Sequence, residues 1–138
     1  MSSGFLLDTC AVIWMSQRLP ISEAAAHVVS DARDSGVPIH VSAVTAWEMG
    51  MLVAHGRISE TKEPKRWYDE FLAGAGLSEI QVTADIFMAA SFLPLPLHKD
   101  PIDRIIIATA RGHDLTIITR DRAILAYSVA GHVRALAC

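Results

Sequence analysis

The stretch HKDPIDRIIIATA (residues 98–110) decides the fold, because it predicts a helix that is apolar on nearly every side and opens with carboxylates. A helix that is hydrophobic all round is buried in a core. Asp100 before Pro101 is typical of a helix N-cap followed by the first helical residue. Asp103 follows in the first turn, where an acid suits the positive end of the helix dipole. Local helix chemistry would explain both acids, so the rest of the chain must decide whether either serves a site.

On both sides of this helix, short β-type runs alternate with helical patterns. The strands are predicted at residues 4–8, 37–41, 78–82, 115–119 and 132–136. The helices are predicted near residues 11–17, 22–35, 43–55, 64–74, 84–91, 101–112 and 121–127, with Ser22 and Ser42 as N-caps and Gly36 and Gly112 as C-terminal stops. Such alternation predicts an α/β fold with a central parallel sheet of about five strands flanked by helices.

Composition limits the class of protein. A chain of 138 residues predicts one domain over residues 1–138. A net charge of -3 argues against a protein that binds nucleic acid through a generally basic surface. The hydrophobic fraction is 51%, yet no apolar run approaches the roughly 18 residues of a membrane span. Two cysteines allow no disulfide framework, and the N-terminus shows no signal peptide, so we expect a cytoplasmic protein without a membrane partner.

Acids follow two of the predicted strands. Asp8 ends the first strand, and Asp121 follows the strand at 115–119. Ligands of an open parallel sheet bind beyond the carboxyl ends of its strands, so both acids are expected at the same edge. Each acid, taken alone, is equally well explained as a helix N-cap.

Two further acids lie on apolar helix faces. Glu48 falls within a stripe formed by residues 44, 47, 48, 51, 52 and 55. A buried carboxylate is costly unless it is paired, so Glu48 indicates either a functional site or a buried ion pair with an arginine. Asp103 shares a face with Ile106 and Ala110, and it should point to the same sheet edge.

Converging carboxylates need compensation by protonation, by arginines or by a divalent cation. An all-oxygen site without thiolates favours Mg²⁺ or Mn²⁺ over Zn²⁺. Four bases flank the acidic motifs: Lys99, Arg104, Arg120 and Arg122. They would place positive charge at the rim of an acidic cleft, where they could contact phosphate groups, although ordinary surface ion pairing explains any one of them.

Four motifs together resemble the PIN domain, and specifically the VapC-type toxins of bacterial type II toxin–antitoxin pairs. They are LLDT (6–9), SAVTAWEM (42–49), HKDPIDRIIIATA (98–110) and IITRD (117–121), and the resemblance extends from Phe5 to about Tyr127. It implies a metal-dependent endoribonuclease that cleaves RNA and arrests growth. It also implies a homodimer, inhibited by a VapB-type antitoxin whose C-terminal segment occupies the cleft.

The resemblance also implies residue roles. The family's core metal-binding acids match Asp8, Glu48 and Asp103, and its more variable fourth acid matches Asp121. These acids would hold Mg²⁺ or Mn²⁺ for attack of water on a phosphodiester. Small hydroxyl positions that support the acids match Thr9 and Thr119.

Other functions remain open at this point. The same acids would serve a catalytically inactive PIN-like module that docks an antitoxin or RNA. A phosphoacceptor signalling domain is disfavoured, because Asp8 has no adjacent acid and Lys99 precedes a helix. A phosphatase with an aspartyl nucleophile would carry a second acid where this chain has Cys10.

Overall fold

The computed structural model describes residues 3–58, 62–94 and 100–138. Within these ranges the chain forms five strands and seven helices. The strands are β1 (Gly4–Leu7), β2 (Ile39–Ser42), β3 (Ser78–Ile80), β4 (Leu115–Thr119) and β5 (Arg134–Ala137). The helices are α1 (Thr9–Ser16), α2 (Glu23–Asp34), α3 (Ala43–Ala54), α4 (Pro64–Ala75), α5 (Ala84–Ser91), α6 (Pro101–His113) and α7 (Arg122–Val129).

The strands form one sheet in the order β3-β2-β1-β4-β5, and every neighbouring pair is parallel. The predicted α/β class and five-stranded parallel sheet are therefore confirmed. Because β1 lies at the centre, its carboxyl end is flanked by the carboxyl ends of β2 and β4. This is the edge at which the acids were predicted to meet.

Alternation along the central strands builds two core layers. Leu6 and Ile117 pack with α5, α6 and α7, whereas Leu7 and Ile118 pack with α1, α2 and α4. Successive side chains of a strand point to opposite faces, so neighbouring apolar residues supply both layers. The run from Ile105 to Ala110 is buried throughout, which confirms that α6 is a covered helix.

Helix α3 contributes to both layers. Val44 belongs to the layer of α5–α7, and Met49 belongs to the layer of α1, α2 and α4. The stripe predicted on α3 is not one continuously buried face, because Val44 within it is buried whereas Trp47 is 60% exposed. The residues of α3 that pack inward are Val44, Thr45 and Met49. The periodicity placed one apolar face correctly on a helix, but a helix rich in apolar residues has more than one such face.

Local capping follows the sequence at most helix ends. Ser22 and Ser42 accept backbone N–H groups of α2 and α3, as predicted. Gly112 as a helix stop was wrong, because α6 continues through it to His113. Asp114 ends the helix in the left-handed conformation, with φ 54°. Aspartate tolerates that conformation better than most residues, and Ser3 and Arg134 bond its carboxylate.

Within the described ranges, no helix has the length and apolar character that crossing a bilayer requires.

Gly4 is expected to tolerate no side chain. A Cβ atom at this position would lie 2.6 Å from the carbonyl oxygen of Pro38, which accepts the Phe5 N–H at 3.1 Å. We expect Gly4→Ala to lower the free energy of unfolding by about 1–3 kcal/mol, since relief requires a backbone shift. Gly112→Ala is the matched control, because its Cβ would meet nothing within 4 Å inside α6. Urea unfolding should show the control stabilised by about 0.5–1 kcal/mol, and equal effects of both substitutions would contradict the steric argument.

Candidate active site

Five acids line one open cleft of about 670 Å³. The lining residues are Asp8, Thr9, Cys10, Ile13, Glu48, Met51, Leu52, His55, Arg57, Asp100, Asp103, Arg120 and Asp121. The acids come from separate parts of the fold: the end of β1, the middle of α3, the start of α6 and the turn after β4. The tertiary fold therefore brings together the four acids that the sequence analysis singled out, and it adds Asp100.

Asp8 is the most buried of these acids, with 4% of its surface exposed. Its Oδ2 atom accepts a hydrogen bond of 2.6 Å from the Thr119 hydroxyl and one of 3.3 Å from the Cys10 thiol. Its Oδ1 atom accepts the Thr9 N–H at 2.7 Å at the start of α1. Burial raises the pKa of Asp8, these three donors oppose that rise, and the charge of Asp121 adds to it.

Two threonines connect the acids. The Thr119 hydroxyl donates to Asp8 and also accepts the Asp121 N–H at 2.9 Å. The Thr9 hydroxyl bonds the Glu48 carboxylate and lies 2.9 Å from the Thr45 hydroxyl of α3. Asp8 is thus tied to Asp121 through one threonine and to Glu48 through the other.

Glu48 faces the cleft from α3 and is half-buried. Burial raises its pKa, the hydrogen bond with Thr9 lowers it, and the charges of Asp8 and Asp100 raise it further. The alternative of a buried ion pair with an arginine gains no support, because the side chains that shift the pKa of Glu48 are a threonine and two acids.

Asp103 has the most strongly perturbed carboxyl group of the cleft. Burial, which is the largest cause, and the charges of Asp8, Asp100, Asp121 and Glu48 together raise its pKa to about 8. Asp103 also receives the positive end of the α6 dipole, which acts in the opposite sense. The rise therefore reflects burial of the carboxyl group together with the charges of the other acids of the cleft.

Asp100 and Asp121 begin helices at the rim of the cleft. The Asp100 Oδ1 atom accepts the N–H of Ile102 at 2.9 Å and that of Asp103 at 3.4 Å, so its predicted capping role is confirmed. Asp121 caps α7 by accepting the Ile124 N–H at 3.0 Å. A capping carboxylate retains further lone pairs, so capping and ligand binding are compatible at both positions.

Comparison with known proteins identifies the family of this chain. Residues 5–130 match the PIN domain family. The chain belongs to this family. It is 29% identical over 120 residues to Ribonuclease VapC22 of Mycobacterium tuberculosis, covering 85% of this chain and 86% of that protein. The family predicted from the four sequence motifs is therefore confirmed.

Solved structures share the fold. VapBC2 from Rickettsia felis, bound to a DNA fragment from its promoter, superposes with a TM-score of 0.72 at 14% identity, covering 97% of this chain and 98% of that one. VapBC-5 from Mycobacterium tuberculosis superposes with a TM-score of 0.63 at 19% identity, covering 99% of both chains. At sequence identities this low, the structural similarity shows a common fold and nothing further.

The acids of this PIN domain are not already arranged as a complete set of metal ligands. Within residues 3–58, 62–94 and 100–138, no three histidine, cysteine, aspartate or glutamate side chains lie close enough together to hold a metal ion. The Cys10 thiol is a donor to Asp8, and its pKa is raised to about 12, mainly by burial. The sulfur is consequently a neutral thiol, and the acids of the cleft offer oxygen ligands.

The four predicted rim bases are placed differently from one another. Arg120 lines the cleft, with its guanidinium 3.7 Å from the centroid of the Trp14 ring and its Nη2 atom donating to the Pro20 carbonyl at 2.9 Å. Arg104 donates from Nε to the Ala90 carbonyl of α5, and Arg122 is exposed and does not line the cleft. Lys99 lies outside the described residues. Of the three predicted arginines, Arg120 is therefore the one that lines the cleft.

Sequence reasoning missed several lining residues. Cys10 was assigned no role, although its position two residues after Asp8 in the first turn of α1 was a usable signal. Ile13, Met51 and Leu52 line the cleft with apolar side chains, and His55 and Arg57 follow them. The stripe predicted on α3 contained Met51, Leu52 and His55, but it was used only to argue that Glu48 is buried.

Asp103→Asn is expected to stabilise the metal-free protein at alkaline pH. Because the folded-state pKa of Asp103 is raised to about 8, its contribution to stability is complete below about pH 4 and is lost as the pH rises through 8. Removing the titration should raise the free energy of unfolding at pH 8 by about 1–2 kcal/mol after allowance for solvent screening. Urea unfolding in EDTA at pH 4 and pH 8 measures this difference.

The control is Asp69→Asn, which changes an exposed carboxylate on α4. Its effect should show no comparable gain between the two pH values. Equal effects of Asp103→Asn at pH 4 and pH 8 would contradict the account of Asp103.

Proposed function

We propose that this PIN domain is the toxin of a type II toxin–antitoxin pair, acting in the cytoplasm as a Mg²⁺- or Mn²⁺-dependent endoribonuclease. The supporting observation is the convergence of carboxylates from four separate elements at the carboxyl edge of the sheet, where burial and the neighbouring charges raise the pKa of Asp103 to about 8. Carboxylates held close together repel one another and destabilise the fold, but they would attract and bind a cation. The similarity to Ribonuclease VapC22 supports RNA as the substrate.

The donor chemistry fits a hard divalent cation. The acids proposed as ligands are Asp8, Glu48, Asp103 and Asp121. They offer carboxylate oxygens only, and the thiol beside Asp8 is protonated. Oxygen ligands of this kind favour Mg²⁺ or Mn²⁺. Bound there, the cation supplies activation of the attacking water and neutralisation of charge on the phosphodiester.

The protein's own residues orient the reacting groups. Thr119 and the Thr9 N–H hold the two oxygens of Asp8, so that this carboxylate cannot rotate freely. Thr9 bonds Glu48 and thereby couples the α3 acid to the β1 acid. Arg120, held against Trp14, brings positive charge to the same cleft and is suited to contact an RNA phosphate. These contacts preorganise the acids before substrate arrives.

A VapB-type antitoxin is the proposed partner. The similar solved structures include toxin–antitoxin complexes from Rickettsia felis and Mycobacterium tuberculosis. A basic antitoxin segment that enters the cleft would meet the same carboxylates that a cation would bind. Inhibition would then follow from occupation of the ligand positions.

Cleavage of RNA by the antitoxin-free protein is the decisive measurement. With Mg²⁺ or Mn²⁺, total cellular RNA should yield discrete fragments, and EDTA should prevent their formation. Asp8→Asn and Asp103→Asn should each reduce the rate by about 100-fold or more, because each removes a charged ligand from the site. Asp103→Asn is the sharper variant, since it is expected to be more stable than the wild type and yet inactive.

Asp69→Asn serves again as the isosteric control and should cleave like the wild type. Full activity of both Asp8→Asn and Asp103→Asn would contradict the proposed role of the acids. An intact RNA pool with wild-type protein that still binds RNA or an antitoxin would favour the inactive binding module.

A homodimer is the proposed assembly. Helix α5 and its C-cap carry Phe87, Met88 and Phe92 with 53%, 67% and 82% of their surfaces exposed. Large apolar side chains that are exposed together mark an interaction surface. We expect a light-scattering mass of two chains for the wild type and of one chain for Phe92→Asp. Val129→Asp, at a side chain 90% exposed on α7, should leave the dimer intact, and a dimeric Phe92→Asp would remove α5 from the interface.

A further inference from the structure

The cleft continues past the acids along α3 and changes its chemistry as it does so. Ile13, Met51 and Leu52 line this extension, and we call these three side chains the apolar shelf. Leu52 lies one helical turn beyond Glu48, about 6 Å along the axis. His55 and Arg57 line the cleft beyond the shelf. The cleft is therefore acidic at one end, apolar in the middle and basic at the other end.

The apolar shelf is incompletely covered by the protein. Its three side chains are half-buried and line the cleft, and Ile13 also packs against the core. A phosphate gains nothing from an apolar wall, whereas the flat face of a nucleobase does. The Met51 thioether is flexible and polarisable, and it packs favourably on aromatic rings of different shapes. The shelf thus matches a base with little dependence on which base it is.

The charges around the shelf fit the rest of a nucleotide chain. Arg57 is exposed beyond the shelf, and Arg120 lies on the acidic side, where Trp14 supports it. Positive groups on both sides of an apolar surface follow the alternation of phosphate, base and phosphate along one strand. The volume of about 670 Å³ is larger than a cation alone requires and leaves space for such a segment.

We infer that the apolar shelf binds the base of an unpaired nucleotide next to the scissile phosphate of an RNA substrate, while Arg57 contacts the phosphate on the far side of that base. The inference rests on the proposed ribonuclease function and adds a base-binding subsite beside the acids. A base within a duplex is stacked and paired, so it cannot lie on the shelf.

The test uses an RNA oligonucleotide that spans a mapped cleavage site, with each flanking nucleotide replaced in turn by an abasic ribose. For the wild type, one replacement should lower kcat/KM by about five- to tenfold, the lower part of the range for base stacking on proteins. Met51→Gln should lower kcat/KM on the intact RNA by a similar factor. On the abasic RNA the same variant should lose little more, because the two changes remove one contact.

Arg57→Gln gives an independent readout at an exposed position. It should raise KM several-fold and reduce the dependence of KM on salt concentration, as expected for one lost phosphate contact. Val129→Gln, a change of an exposed apolar side chain on α7, is the control and should cleave both RNAs like the wild type. Thermal melting establishes that Met51→Gln is folded, and if it is not, Arg57→Gln with the abasic series decides the question.

Three results would overturn the inference: no flanking position sensitive to loss of its base, losses from Met51→Gln and the abasic site that multiply independently, or equal cleavage of paired and unpaired sites. Variants that cleave normally but escape antitoxin inhibition would assign the shelf to the antitoxin instead. If the wild type cleaves no RNA, the ribonuclease proposal fails separately. Fluorescence anisotropy with the intact and abasic RNAs then tests the shelf, and equal binding of the two by the wild type would overturn it.

Discussion

The hydrogen bond from the Thr119 hydroxyl to the Asp8 carboxylate is the contact on which the rest of the site depends. It joins the end of β1, the central strand, to the end of the neighbouring β4 at 2.6 Å, and both side chains are buried. The same hydroxyl accepts the Asp121 N–H, so one oxygen atom sets the position of two acids. Because the sheet is parallel, both strands end at the same edge, and no loop is needed to bring their acids together.

The second constraint is that a buried apolar helix carries an acid at its start. Six consecutive residues of α6, from Ile105 to Ala110, are buried, and this burial fixes the direction of the helix toward the sheet edge. Asp103 must therefore lie near the other carboxylates, whose charges oppose its ionisation. The apolar packing of α6 holds the acid in a position that its electrostatics disfavour. Functional sites commonly store energy in this way, since the surrounding fold maintains an arrangement that is locally unfavourable.

Much of the fold was predictable because local signals agreed with it. Asp100 before Pro101, Ser22 and Ser42 are strong N-terminal signals, and the structure uses all three as caps. Gly112 misled the analysis, because a glycine near the end of an apolar run resembles a stop whether or not the helix has other reasons to continue. The actual stop at Asp114 depends on Ser3 and Arg134, which are distant in sequence.

The sequence by itself determined the alternation of strands and helices, the buried character of α6 and which acids were candidates for the site, because periodicity, caps and acids within apolar stretches are local properties. Only the tertiary structure decided which face of α3 packs inward and which lines the cleft. It also turned Arg104 toward α5 and Arg120 toward the site. Those outcomes depend on which elements pack on each side of a helix or strand end. Local sequence patterns do not show how elements that are distant in sequence pack together.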